Sequence, residues 1–368
     1  MDNPLTRPQS TPQGSAVTLS RGGPFTTADL PIDDEGRIYH LQIRPEHVAP
    51  DILIVGDPGR AEFIGSEFLR DLELRHEHRG LVIVTGKADI TGQRATVVSP
   101  LRATAATSGI GTPSLEIVVS ELVALTEMDF EMRTRKASLP RLHVLRVGTS
   151  GALQASTRLG TPIITTYAVG LDNTGLFYEA AYPDEVCKRV EGELAELVRA
   201  TMGEESRFYG RVYPYVARAE PAIVDALEEA AASLSVTAKL GLTVSSCGFF
   251  APQGRDTARL RPTVPDVDRV LADYDPKVGG QRIENMEMEA SFLCHFLGGL
   301  GHWAGAICPA IANRRENTFD HHYQHSVRDA IQVALLALAK LRSRHPDVHI
   351  SRGPHSAGGT SRASALAP

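Results

Sequence analysis

The sequence predicts an α/β layered fold with a mostly buried sheet. Two observations carry this. Short apolar runs of strand length alternate with longer runs of helical periodicity, and three of the strand ends pass into glycine-containing turns.

In chain order, DILIVG (51–56) reads as a buried strand, because its apolar residues are continuous rather than alternating. LVIVTG (81–86) and RATVVSP (94–100) flank a turn near Thr91-Gly92. LHVLRVG (142–148), TPIITT (161–166) and LGLTVSS (240–246) are further strands. AGAICPAIAN (304–313) is also strand-like, although Pro309 lacks an N–H and so argues against a central paired position. Helical patterns cover 114–127, 185–202, 221–234, 287–297 and 324–344, with Pro113-Ser114 as a start and Gly298-Gly299 as a stop. The polar segment EMRTRKASLPR (131–141) interrupts this rhythm and reads as a surface insertion. No internal repeat is visible.

Composition narrows the function. The chain has 368 residues, 42% apolar and 22% charged, as an ordinary globular protein has. Its 38 Lys and Arg against 44 Asp and Glu give a net charge of −6. That argues against nucleic-acid binding through bulk positive charge, but leaves room for a local basic pocket holding a small anion. No run approaches about 18 apolar residues, so no membrane span is expected. The N-terminal segment has no apolar core and does not read as a secretory signal. Cys187, Cys247, Cys294 and Cys308 form no CxxC pair. They read as reduced thiols of a cytoplasmic protein, not as a disulfide framework or zinc site. Residues 1–30 and 351–368 are rich in Ser, Thr, Pro and Gly and are expected to be disordered tails. The remainder, 31–350, is long enough for one large core and is expected to be a single domain.

The glycine turns are GDPGR (56–60), SGIGTPS (108–114) and RVGTSGA (146–152). Glycine lets backbone approach a ligand, and free N–H groups there suit an anion. Arg60 and Arg146 can each fork onto two phosphate oxygens, and Thr149 adds a hydroxyl donor. Taken alone, each turn reads more readily as an ordinary βα loop, with Arg60 and Arg146 as surface arginines. None is a Walker loop, and GIGTPS is not a dinucleotide fingerprint.

Two other stretches offer ligand chemistry. In NMEMEA (285–290), Glu287 and Glu289 stand two apart at a predicted helix start, so one could face a pocket while the other binds structure. A carboxylate accepts two sugar hydroxyls at once, and a solvated helix face is the alternative. In CGFFAPQGR (247–255), two aromatics precede Gln253 and Arg255. An amide and a guanidinium together complement the O4, N3–H and O2 edge of a pyrimidine, and a solvated loop is the alternative. The histidines of HEH (76–78) and DHHYQH (320–325) read as structural or surface groups, and no metal site is expected.

Taken together, these pieces resemble the nucleoside phosphorylase family, and more narrowly its uridine phosphorylase branch. The resemblance runs from about Tyr39, where YHLQI looks like the family's opening strand, to the helix after Asn313. It implies a three-layer fold with a central mixed sheet flanked by helices. It also implies phosphorolysis of uridine or deoxyuridine to uracil and (deoxy)ribose 1-phosphate, with inorganic phosphate as co-substrate and no cofactor. Gly56, Arg60, Arg146 and Thr149 would bind phosphate, completed by Arg79 of HRGLVIVTG from a neighbouring subunit. His40, also from the neighbour, would join Met288 and Glu289 on the ribose. Phe249 or Phe250, Gln253 and Arg255 would hold the base, and Arg255, Arg146 and Glu289 would carry the catalytic burden. A homo-oligomer follows, in the family a hexamer built as a trimer of dimers. Purine enzymes of this fold place Ser-Asp where this chain has Ala312-Asn313, followed by Arg314, so the purine reading is the weaker one. Gly80 stands where some relatives have a glutamate that helps bind potassium between subunits, which weakens the case for that ion and leaves its presence open. The alternatives are a purine or methylthioadenosine phosphorylase, a nucleosidase using water, and a non-catalytic nucleoside-binding homologue.

Overall fold

Residues Asp51–Val55 form β1, buried at every position, as an apolar run without a polar face requires. The computed structural model describes residues 24–88, 101–346 and 349–350. After β1 come α1 (Pro58–Phe68), β2 (Leu69–His78), β3 (Leu81–Ala88), β4 (Leu101–Thr107) and α2 (Thr112–Glu127). Three short strands follow, β5 (Met128–Asp129), β6 (Thr134–Arg135) and β7 (Leu139–Pro140). Then come β8 (His143–Val147), β9 (Ser150–Ala152), β10 (Pro162–Leu171), α3 (Glu185–Thr201), β11 (Tyr215–Arg218) and α4 (Pro221–Ser233). The chain continues through β12 (Lys239–Ser246), α5 (Val267–Asp273), β13 (Ile283–Glu287) and α6 (Ala290–Leu300). It closes with β14 (Trp303–Asn313), β15 (Thr318–Phe319), α7 (Gln324–Arg344) and β16 (His349–Ile350).

Twelve strands make one mixed sheet in the order β11-β10-β12-β13-β9-β14-β8-β1-β4-β3-β2, with β15 paired to β14. An added antiparallel pairing of β10 with β14 bends the first half of the sheet back onto itself. The result is the single-domain mixed α/β architecture that the alternating pattern predicts. The helices cover the sheet: α4 and α7 pack on each other and on its strands, and α6 lies against β10, β11, β12 and β14. Among the described residues, no helix is long and apolar enough to cross a membrane.

Several elements differ from expectation, each for a physical reason. Pro309 lies well inside the sheet, directly opposite Pro162. Neither residue has an N–H to lose, and the neighbouring Ala310 N–H to Thr161 O bond (3.0 Å) carries the pairing. The helix expected from 287 begins at Ala290, and NME is the buried end of β13. Its acids and amide hide a strand whose every residue is buried. Gly298 and Gly299 lie inside the last turn of α6, which stops at Gly301, φ +85°. β2 was not foreseen because its LRDLELRHEH pattern is mostly exposed. α1 was missed because two glycines dilute its periodicity, although Asp57 caps it by accepting the Gly59 N–H at 3.0 Å. The RATVVSP strand, residues 1–23 and residues 351–368 fall outside the described residues.

The ordered body begins before residue 31. Leu30 is buried in the main core, and Phe25 packs partly against it. The Phe25 N–H donates to Arg133 O (2.8 Å), while the Arg133 guanidinium donates to Phe25 O and Thr26 O, each at 2.9 Å. The segment expected as a surface insertion therefore ties down residues 25–30.

Phe292 of α6 is fully buried, between Phe296 (centroids 5.3 Å apart) and Tyr178 (5.6 Å). Phe292→Ala is expected to lower the unfolding free energy by about 3–5 kcal/mol in denaturant titration, through lost transfer energy and the cavity left behind.

Candidate functional site

A cavity of about 470 Å³ opens where the strands of the sheet end. Gly56, Asp57 and Arg60 follow β1; Gly109 and Ile110 follow β4; Arg146 ends β8 with Thr149 and Ser150 beyond it. Met286 to Glu289 enter from β13, and Ile311 and Ala312 from β14. The chain thus brings the three glycine turns to one place, at the carboxyl ends of strands where α/β sheets hold ligands.

The glycines are there for closeness. A Cβ on Gly56 would stand 3.3 Å from Gly109 O. One on Gly148 would meet Arg146 Nη2 at 2.7 Å and Cys308 Sγ at 2.9 Å. Any side chain at residue 148 must therefore displace the guanidinium beneath it.

Arg146 is the centre of the site and only 4% exposed. Its Nε donates to Glu287 Oε2 at 2.7 Å, and its Nη2 pairs with Glu289. Its Nη1 is buried without a partner. An unsatisfied buried guanidinium N–H is costly, so the two carboxylates do not use the full donor set of Arg146. Burial opposes the charge on Arg146, yet Glu289 and Glu287 outweigh it and hold the group above its ordinary pKa. Burial conversely raises the Glu289 carboxyl, against the pull of Arg146. The two glutamates do not point to opposite sides of a helix, as expected. Glu287 ends a strand and Glu289 sits in the turn after it, so both reach the same guanidinium. Glu287 is the structural member: it also accepts from Ser245 Oγ and from the N–H groups of Glu289 and Ala290. Glu289 accepts the Gly111 N–H at 2.5 Å and borders the cavity with Met288.

Arg60 donates from Nη1 to Val147 O at 3.0 Å. Burial first, and the Arg146 charge second, pull its pKa below the ordinary value. Two guanidiniums therefore share a partly dry space beside Thr149 and the Gly56 turn, which favours an anion.

Gln253, Arg255 and Phe249 line the other part of the cavity. The Gln253 amide, 5% exposed, donates from Nε2 to Ser246 Oγ at 2.9 Å and accepts at Oε1 from Arg255 Nη1 at 2.6 Å. One N–H and one lone pair of that amide stay free. The Arg255 guanidinium lies 3.8 Å from the Phe249 ring centroid, and burial followed by the Arg314 charge lowers its pKa. Arg314 braces the loop by donating to Gln253 O at 2.8 Å and pairing with Asp268 at 3.1 Å. Phe249 and Phe250 are both about half exposed, but Phe249 lines the cavity and Phe250, which precedes the short turn at Ala251–Gln253, does not. Ala312 lines the cavity, but Asn313 is turned into the fold. Its amide donates to Gln154 O and Thr157 O and accepts from the N–H groups of Arg315 and Glu316. No acid enters the cavity from the end of β14.

His40 and Arg79 do not reach this chain's own cavity. His40 Nδ1 pairs with Glu121 at 2.7 Å, and Arg79 donates to Tyr39 Oη at 3.0 Å with its guanidinium over that ring. The two are gathered on a separate surface beside α2. Sequence reasoning missed Phe319, Ser150 and Ile110. Phe319 pairs across β15 with Ala312 and faces the cavity, but a lone aromatic in a polar stretch carries no signal of that kind.

Residues 50–341 match the model of the phosphorylase superfamily. The chain is 32% identical to a uridine phosphorylase of Thermococcus kodakarensis over 297 residues, covering 80% of this chain and 84% of that one. It is 26% identical to uridine phosphorylase of Escherichia coli over 305 residues, 81% of this chain and 96% of the relative. A solved Trypanosoma brucei nucleoside phosphorylase, described as showing uridine phosphorylase activity, aligns with a TM-score of 0.74 at 26% identity. That alignment covers 85% of this chain and 100% of the other.

Gly148→Ala should displace Arg146 and weaken inorganic phosphate binding about tenfold or more in titration calorimetry, as the loss of a charge-assisted hydrogen bond does.

Proposed function

The chain belongs to the phosphorylase superfamily, and from that premise we propose that it carries out reversible phosphorolysis of uridine or deoxyuridine. One observation carries the reading. A buried arginine, held by two carboxylates, lines a cavity that also contains a second arginine and the Gln253–Arg255 pair.

In the reaction the bond from C1′ to the base nitrogen breaks, a bond from C1′ to a phosphate oxygen forms, and the bonding pair leaves with the uracil, which takes up at N1 the proton that hydrogen phosphate gives up. The transition state carries positive charge at C1′ and negative charge on the departing base. Arg60, Arg146, Thr149 and the backbone at Gly56 hold phosphate against one face of the sugar. Glu289 accepts the ribose hydroxyls, with Met288 packed beside them. Gln253 meets the base edge, and Arg255 stabilises the charge that develops there, with Phe249 as the wall. The protein's work is positioning and electrostatics rather than proton transfer to a ring nitrogen. The turned-away Asn313 fits that assignment and disfavours a purine substrate. Two arginines at one end favour phosphate over water as nucleophile. No cofactor takes part, and phosphate is consumed as co-substrate.

Arg79 and His40 complete the phosphate and ribose ends of a neighbouring copy's site, in a homo-oligomer of hexameric, trimer-of-dimers type. Their placement away from this chain's own cavity supports that sharing. A cytoplasmic role in pyrimidine nucleoside salvage or catabolism completes the reading.

Uracil release from uridine should depend strictly on phosphate, and release in its absence would favour a nucleosidase. Arg255→Ala should lower uridine turnover by about 100-fold or more while phosphate binding survives. Unchanged turnover would defeat the assignment of the base site. Co-expressed Arg79→Ala and Arg255→Ala chains, each inactive alone, should recover activity, because a mixed pair contains one intact site; no recovery would refute the shared site.

A further inference from the structure

Behind the cavity lies a buried polar cluster that none of these roles uses. Tyr215 of β11 donates from its hydroxyl to Asp172 Oδ2 at 2.8 Å and lies 3.0 Å from Ser291 Oγ. Ser291 Oγ donates to the same carboxylate oxygen at 3.1 Å. The other oxygen accepts the N–H groups of Thr174 (2.9 Å) and Gly175 (3.2 Å). Asp172 is thus a buried carboxylate held by four neutral donors. The Tyr215 ring is fixed as well. A Cβ on Gly170 or Gly175 would come within 2.2 or 2.4 Å of its atoms, so only glycine fits under it at either place. Burial, and then the Asp172 charge, push the Tyr215 hydroxyl well above its ordinary pKa, which keeps it a proton donor.

Two hydrogen-bonded routes lead from Asp172 to the ligand-facing carboxylate. Along the first, Thr174 Oγ1 meets Thr112 Oγ1 at 3.0 Å, and Thr112 follows Gly111, whose N–H holds Glu289. Along the second, Ser291 donates its N–H to Ser245 Oγ at 2.8 Å, and Ser245 donates to Glu287, the anchor of Arg146. The cluster therefore braces both sides of the Arg146–Glu289 pair while touching neither residue.

We propose that Asp172 and Tyr215 form a positioning clamp that sets the Glu289 carboxylate for the sugar hydroxyls, so that sugar discrimination depends on a phenol remote from the sugar. The inference rests on the role assigned to Glu289 above. Tyr215→Phe tests it, because the ring stays over its two glycines and only the oxygen is lost. The ratio of kcat/KM for uridine to that for 2′-deoxyuridine should fall about tenfold, the effect of one mis-set hydrogen bond. Hydrogen exchange should quicken in residues 108–112 and 288–292 and nowhere else in the sheet. A merely structural defect would lower both nucleosides equally. That outcome, an unchanged ratio, or unchanged exchange in the two segments would overturn the clamp. Ser291→Ala removes the second donor and should act in the same direction; it carries the test if the tyrosine variant does not fold. Should the native protein release no uracil from uridine, the proposed function fails on its own, and exchange in the two segments still decides the clamp.

Discussion

The buried group of Arg146, Glu287 and Glu289 is the constraint on which the rest of the site depends. One guanidinium stands against two carboxylates in a space with little water, so the group carries an excess negative charge. An anionic ligand brought there alone would be repelled. The surroundings offset this in two ways. Arg60 adds a second cation, and backbone and hydroxyl donors saturate Glu287, leaving Glu289 as the exchangeable partner. Hydroxyl groups of a sugar can then share Glu289 with Arg146, which leaves more of the guanidinium for phosphate oxygens. In the proposed reaction, sugar and phosphate would be coupled through this one ion pair before any bond is broken.

Much of this was legible in the residues. Continuous apolar runs located β1, β8, β10, β12 and β14, and the glycines after β1, β4 and β8 marked the turns that meet at the cavity. A turn glycine marks either a close approach, as at Gly56, or a positive φ, as at Gly109 (+70°) and Gly111 (+87°), and both are signals of a special backbone. Gln253 and Arg255 fit a base edge or a solvated loop equally in sequence, and the structure brings both to the cavity.

What stayed hidden followed from burial. Glu287 looked like a helix-face acid because a carboxylate at the end of a buried strand breaks the usual rule that such strands are apolar. Its carboxylate's four hydrogen-bonding partners, Arg146 of β8, Ser245 of β12 and the N–H groups of Glu289 and Ala290 at the start of α6, are visible only in three dimensions. Phe250 and Phe249 are equal in sequence, and only the turn at Ala251–Gln253 separates the wall from the surface. Pro309 obeyed its chemistry, but the matching Pro162 lies far away in the chain.

The described sheet ends at β2, whose outward residues include Arg70, Asp71, Glu73, Arg75 and Glu77. Its opposite half is folded back through β10 and β14 and offers less open backbone. A bare strand margin would template any passing extended peptide, whereas ions of both signs along β2 make such zippering unfavourable.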